Sequence, residues 1–366
     1  MITSFDDYPV HQVAEPIRHA QTSDRNFYDR YYFNAFDRDG DQFIVMSFGQ
    51  YPNLGVQDAF AVISRGDLHR VVRSSAELVD RADTTIGPLG IEVIEPLQRL
   101  RVRCDGADHG FALDLEWNAT SVAHEEPRHH IRMHGRVVFD TYRFAQLGAW
   151  TGWVRVGDDE IEVTPDRWMG TRDRSWGVRP VGEPEPPGIR GDEGQMSGMW
   201  NYFPARFDEY SLVYMLNETE RGDRTIEEAV RIWDDPDRGT EWLGRPEHEH
   251  VVTSGTRLIE RGVVRFPDAP DGPLELVVTP MARCYLGVGT GYGLDEDWRH
   301  GMYQGPLAVQ GLDFSNEEMG PLGQYVIVEN SARFELNGDV GFGMMEHGFW
   351  GGYLPYGMEG ATGLAP

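Results

Sequence analysis

Phe111, Leu113, Leu115 and Trp117 alternate with Ala112, Asp114, Glu116 and Asn118, and this period of two recurs along most of the chain. Alternation puts apolar side chains on one face of a strand and polar ones on the other, so it predicts sheet rather than helix. Strands are expected at 31–36, 43–48, 59–64, 68–73, 97–103, 111–118, 150–156 and 161–168. In the second half they are expected at 211–217, 229–233, 250–259, 274–279, 307–314, 325–329 and 332–336. Turn pairs such as Asp39-Gly40, Asp105-Gly106, Asp271-Gly272 and Asn337-Gly338 stand between them. Residues 74–82 are one short helix candidate. Short strands joined by glycine-rich turns imply an all-β chain of antiparallel sandwiches or barrels.

A length of 366 residues corresponds to roughly two domains of about 150 residues. The composition breaks once, at 180–194, where four prolines and four glycines stand among acidic residues. The expected division is an N-terminal β domain at 1–181, a linker or long loop at 182–195 and a C-terminal β domain at 196–366. Each half is long enough for one antiparallel barrel.

Charge excludes several function classes. The 33 basic and 60 acidic residues leave a formal net charge of −27, which repels phosphate backbones and anionic membranes. Every basic residue is arginine, so Schiff-base chemistry, pyridoxal phosphate and a P-loop, each of which needs a lysine amine, are ruled out. The two cysteines, Cys104 and Cys284, form no disulfide framework. Residues 1–9 carry no leader-like pattern, and no apolar run approaches a membrane span. A soluble, acidic, cytoplasmic protein is expected, with neither nucleic acid nor membrane as partner.

The densest polar segment is GTRDRSWGVR at 170–179. On a strand it places Arg172, Arg174 and Trp176 on one face and Asp173 and Ser175 on the other. Two readings fit: an arginine and carboxylate clasp in which Asp173 answers Arg172 or Arg179, or a polar cluster at a pocket mouth with Asp173 as acid or base. The string Gly-x-Arg-Asp-x-Ser-Trp-Gly-x-Arg, matched at Gly170, Arg172, Asp173, Ser175, Trp176, Gly177 and Arg179, resembles the motif of the carotenoid hydratase (hydroxyneurosporene synthase) and lipocalin-like superfamily. Position 174 is arginine here, where that family often carries histidine. The resemblance implies two tandem lipocalin-like β-barrels that handle apolar, often isoprenoid, small molecules. Alkene hydratases and pericyclic cyclases both occur among such relatives, so fold and reaction are separate matters.

A second cluster, GFGMMEHGFWGGYLPYG at 341–357, sets Glu346 and His347 among methionines and aromatics. A carboxyl there would have its pKa raised by desolvation, as a general acid near neutral pH requires, although glycine and aromatic richness also suits barrel closure. Glu329 and Asn330 end a strand and fit either a strand cap or the same pocket. The stretch from His124 to His134 reads as a solvated loop. His248 and His250 have the spacing of a metal pair but lack further ligands, so no metal is expected. Nucleotide templates fail as well: the glycines from 287 to 293 do not follow a dinucleotide fingerprint.

These features point to a cofactor-free lyase or isomerase, a hydratase, dehydratase or cyclase, acting on an isoprenoid-, terpenoid- or steroid-like molecule. Asp173, Glu346 and His347 are the candidate catalytic residues. Arg172, Trp176, Arg179, Trp350 and Tyr353 are the candidate substrate contacts. The alternative is a lipid or terpenoid carrier without chemistry. A carrier would line its cavity with apolar groups alone, whereas an enzyme would bury a carboxyl there.

Overall fold

The computed structural model describes residues 2–186 and 197–366, and strands make up 56% of it against 5% helix. Two antiparallel sheets form, one curled into a nearly closed barrel and the other into a half-barrel, the tandem lipocalin-like arrangement that the motif implies. Residues 187–195 of the expected linker lie outside the described residues.

In the middle of the first sheet, Gln42–Tyr51, Phe27–Asp37, Trp168–Val178 and Arg136–Val156 are neighbours in that order. In the second sheet the corresponding run is Tyr210–Glu218, Gly198–Arg206, Asp339–Trp350 and Val328–Leu336. Period-two alternation sorts their side chains into three apolar layers. Phe33, Trp117 and Trp150 fill the first barrel, and Phe203, Tyr214 and Phe349 fill the second. Between the sheets lies a third layer drawn from both, including Tyr32, Phe43, Phe60, Trp200, Tyr202 and Met344. Gln42–Tyr51 is buried at every position because both its faces are covered, which is why Phe43 to Met46 is continuously apolar.

The motif occupies the central strand Trp168–Val178, and its two glycines have separate reasons. A Cβ on Gly170 would stand 2.0 Å from the Asn34 carbonyl oxygen and 2.5 Å from Trp150 Nε1. Gly177 has φ +129, a conformation that side chains disfavour, and a Cβ there would meet the Asp140 carbonyl at 2.1 Å.

Three local expectations need correction. Residues 74–82 form no helix: the strand Leu68–Glu77 takes 74–77, where Ser74 and Ser75 pair with Val309 and Ala308, and 78–82 are loop and turn. That partner, Leu307–Ser315, comes from the second half of the chain yet extends the first sheet. A helix forms just after it, Asn316–Gly323, where Ser315 Oγ accepts from the Glu318 amide. Finally, 250–259 is not one strand: His250 lies outside any strand, Val251–Val252 is a short pair, and Ile259–Phe266 begins anew.

Candidate active site

Polar side chains interrupt the layer between the sheets, and there a cavity of about 160 Å³ opens. The first sheet contributes Arg30, Tyr32, Arg143, Asp173 and Ser175, and the second contributes Trp200, Met215, Glu346 and Trp350. A larger chamber of about 490 Å³ adjoins it and shares Phe139, Arg179, Tyr292, Ile327 and Trp350 with it. Together they make an inner pocket with an outer vestibule, of a size suited to a small organic molecule.

Asp173 sits opposite Tyr32 and Ala145 in the sheet register, facing the cavity. Its carboxyl is half-buried at the cavity wall, and removal from water pushes it up to about 6 against the pull of Arg143. Arg172 and Arg174 point to the opposite face, as alternation requires. Arg172 Nε donates to Gln146 Oε1 at 2.8 Å and Arg174 binds Asp29 at 2.5 Å, so neither answers Asp173. A clasp does exist, but Glu126 makes it. Glu126 pairs with Arg143 and accepts from Tyr202 OH at 2.8 Å. The stretch read as a solvated loop turns inward here, with Glu126 only 3% exposed.

On the facing wall, Glu346 accepts a hydrogen bond from Trp200 Nε1. Its cross-strand partner is Glu329, which is completely buried behind it. Neither oxygen of Glu329 has a hydrogen-bond donor among the described residues, and Glu346 and Cys284 are its cross-strand neighbours. Burial raises both carboxyls, and the negative charge of Glu346 pushes Glu329 well above the usual range. Like charges at neighbouring buried positions oppose ionisation of both, so the arrangement favours a pair that titrates as a unit.

Aromatic faces wall the rest. His129 stacks on Trp200 at 6.5 Å, Arg143 lies over Tyr202 at 4.4 Å, and Arg30 lies over Tyr292 at 5.0 Å. Arg179 sits over Tyr28 at 4.5 Å.

Of the residues singled out from sequence, Asp173, Glu346, Arg179 and Trp350 converge on this cavity. The others lie elsewhere. His347 alternates to the opposite face and is fully buried, with Nε2 accepting from the Ile259 amide at 3.3 Å. Tyr353 belongs to the second barrel's core and donates to Glu218 at 2.5 Å. Trp176 is 39% exposed and stacks on Tyr142 outside the cavity. Arg30, Glu126, Arg143, Trp200 and Tyr292 were not singled out, since each comes from a segment that reads as ordinary strand or loop. His248 and His250 stack at 5.1 Å, with His248 bonded to Tyr356 and His250 to Asn201. Among the described residues no three His, Cys, Asp or Glu side chains are grouped to hold a metal.

Solved structures share this architecture at low identity. A proposed AttH from Nitrosomonas europaea has a TM-score of 0.56 and 15% identity, covering 95% of this chain and 99% of that one. CghA, solved with Sch210972, has a TM-score of 0.50 and 13% identity, covering 89% of each. Kievitone hydratase from Nectria haematococca follows at 0.46 and 11%, covering 87% and 88%. At these identities the likeness concerns the fold. No curated protein matches the chain. One family model, described as a family of unknown function (DUF8625), matches residues 2–359.

Proposed function

The chain belongs to the DUF8625 family across residues 2–359, and from the cavity between its sheets we propose that it is a cofactor-free lyase or isomerase acting on an apolar small molecule. The observation that carries this reading is the cross-strand pair of buried carboxyls Glu329–Glu346, with Glu346 lining a cavity walled by Trp200, Tyr292 and Trp350. A buried carboxyl that stays protonated near neutral pH is a general acid, and aromatic faces stabilise a cation without trapping it.

Once the proton held by Glu329 passes to Glu346 at the cavity wall, its transfer to an alkene carbon generates a carbocation. Water then adds to the cation, Asp173 takes the proton that the water releases, and return of that proton to the Glu329–Glu346 pair restores the acid for the next turnover. Running backwards, the same groups dehydrate. Internal attack of a second alkene in place of water, followed by proton loss to Asp173, gives a ring. Carrier function is the second reading, and the titratable groups in the cavity weigh against it.

The test is mass spectrometry of small molecules that copurify with the wild type and with Glu346→Gln. An apolar compound enriched on the variant and converted by the wild type supports the enzyme, and a product heavier or lighter by one water separates hydration or dehydration from cyclisation. A compound that both proteins bind and neither converts supports the carrier.

A further inference from the structure

Cations around the cavity are not evenly matched. Arg143 has Glu126, but Arg30 and Arg179 have no carboxylate within ion-pair distance among the described residues. Arg30 is 2% exposed, and its five N–H donors are underused. It donates to His300 Nδ1 at 2.9 Å and to Ser47 Oγ at 2.5 Å, while Nε has no partner. His300 is held in the accepting tautomer because its Nε2 donates to the Thr290 carbonyl at 2.9 Å. The same Nδ1 receives Arg179 at 3.5 Å, so one neutral imidazole anchors two guanidinium groups. Arg179 stands where the inner pocket meets the vestibule, and Arg30 lines the inner pocket.

Asp58 and Asp173 act on Arg30 through space without bonding to it, and Arg179 is half-buried, so both planar forks stay open, and such forks are suited to bidentate carboxylate recognition. We propose that Arg30 and Arg179 form an anion seat and that the substrate is an organic acid, an apolar skeleton bearing a carboxylate held at the neck between the two chambers. This rests on the reading of the cavity as an apolar-substrate site and adds the polar end of that substrate. Seating the carboxylate at Arg179 fixes which part of the skeleton reaches Glu346 and Asp173, so the arginines position the substrate rather than react with it.

The test uses cis-parinaric acid and its methyl ester as fluorescent ligands. Wild-type protein is expected to bind the acid at least about tenfold more tightly than the ester, the scale of a charge-assisted hydrogen bond. Arg179→Gln should narrow that preference, and Arg30→Gln/Arg179→Gln should erase it while ester binding stays within about twofold. Should the double variant fail to fold, the wild-type comparison and Arg179→Gln decide the matter. Equal affinity for acid and ester in the wild type, or a preference that survives in the folded double variant, overturns the anion seat and leaves the apolar cavity standing. Binding of neither ligand overturns both.

Discussion

Glu329 and Glu346 face each other directly across neighbouring antiparallel strands, with Glu346 at the cavity and Glu329 sealed behind it. Directly opposed residues have Cβ atoms roughly 5 Å apart, and like charges at that separation destabilise a sheet. Burial and this repulsion raise both carboxyls, and the proposed chemistry draws on the proton that such a pair would retain.

Removing the acid should therefore separate activity from stability. Glu346→Gln is expected to lower turnover of the captured substrate by about two to four orders of magnitude, because general acid catalysis is lost. Its melting temperature should equal or exceed that of the parent, since a like-charge neighbour of Glu329 has gone. A variant that melts early, with activity lost in proportion, would assign Glu346 a structural role.

Asp173 makes a signed prediction about pH. Its folded pKa of about 6 lies above the unfolded value of about 3.8, so between those values the folded state binds the extra proton and stability falls as pH rises. Relative to Asp173→Asn, the wild type should lose on the order of 1 to 3 kcal/mol between pH 4 and pH 6, measured by denaturant unfolding. Parallel pH profiles for the two proteins would contradict this placement.

The clasp predicts the opposite behaviour for Glu126. Glu126→Ala strands the Arg143 guanidinium and leaves Tyr202 OH without its acceptor, at a cost of about 3 to 5 kcal/mol. Differential scanning calorimetry would show a clearly lowered transition, and a change within error would remove the clasp from the stability of the layer.

Buried imidazoles set the acid limit. Burial holds His69 and His129 down to about 4 and His347 to about 3, and it takes His250 and His300 well below the ordinary value of 6.5. Each is neutral when folded and gains a proton on unfolding, so stability should fall as pH drops from 6.5 towards 4. Replacing His347 by phenylalanine should flatten part of that fall, and an unchanged slope would contradict it.

Much of the fold was legible because period two is a local signal that survives burial on one face. It failed at 74–82, where small polar side chains are covered by a strand from the other half of the chain, and at 250–259, where His250 and the turn at 253–258 interrupt the strand. A few lining residues of the candidate cavity were legible too. Asp173 and Glu346 stand out as carboxyls beside arginines or aromatics, and alternation places Asp173 opposite Arg172. Arg30 stays hidden because its partner His300 is 270 residues away, and Glu126 because its partners Arg143 and Tyr202 come from other segments that fold over it. Glu329 was visible as a strand-end carboxylate, but nothing local shows that Glu346 faces it. His347 and Tyr353 follow the same logic in reverse: they stand beside the right residues in sequence and on the wrong face in space.

The proton on the Glu329–Glu346 pair can be observed without a substrate. A protonated carboxyl has an infrared carbonyl band that a carboxylate lacks, so the difference spectrum between wild type and Glu329→Gln/Glu346→Gln at neutral pH reports it directly. The paired arrangement predicts one protonated carboxyl present in the wild type and absent from the double variant. A difference spectrum showing two ionised carboxylates and no protonated band would contradict the shared proton and the acid chemistry built on it.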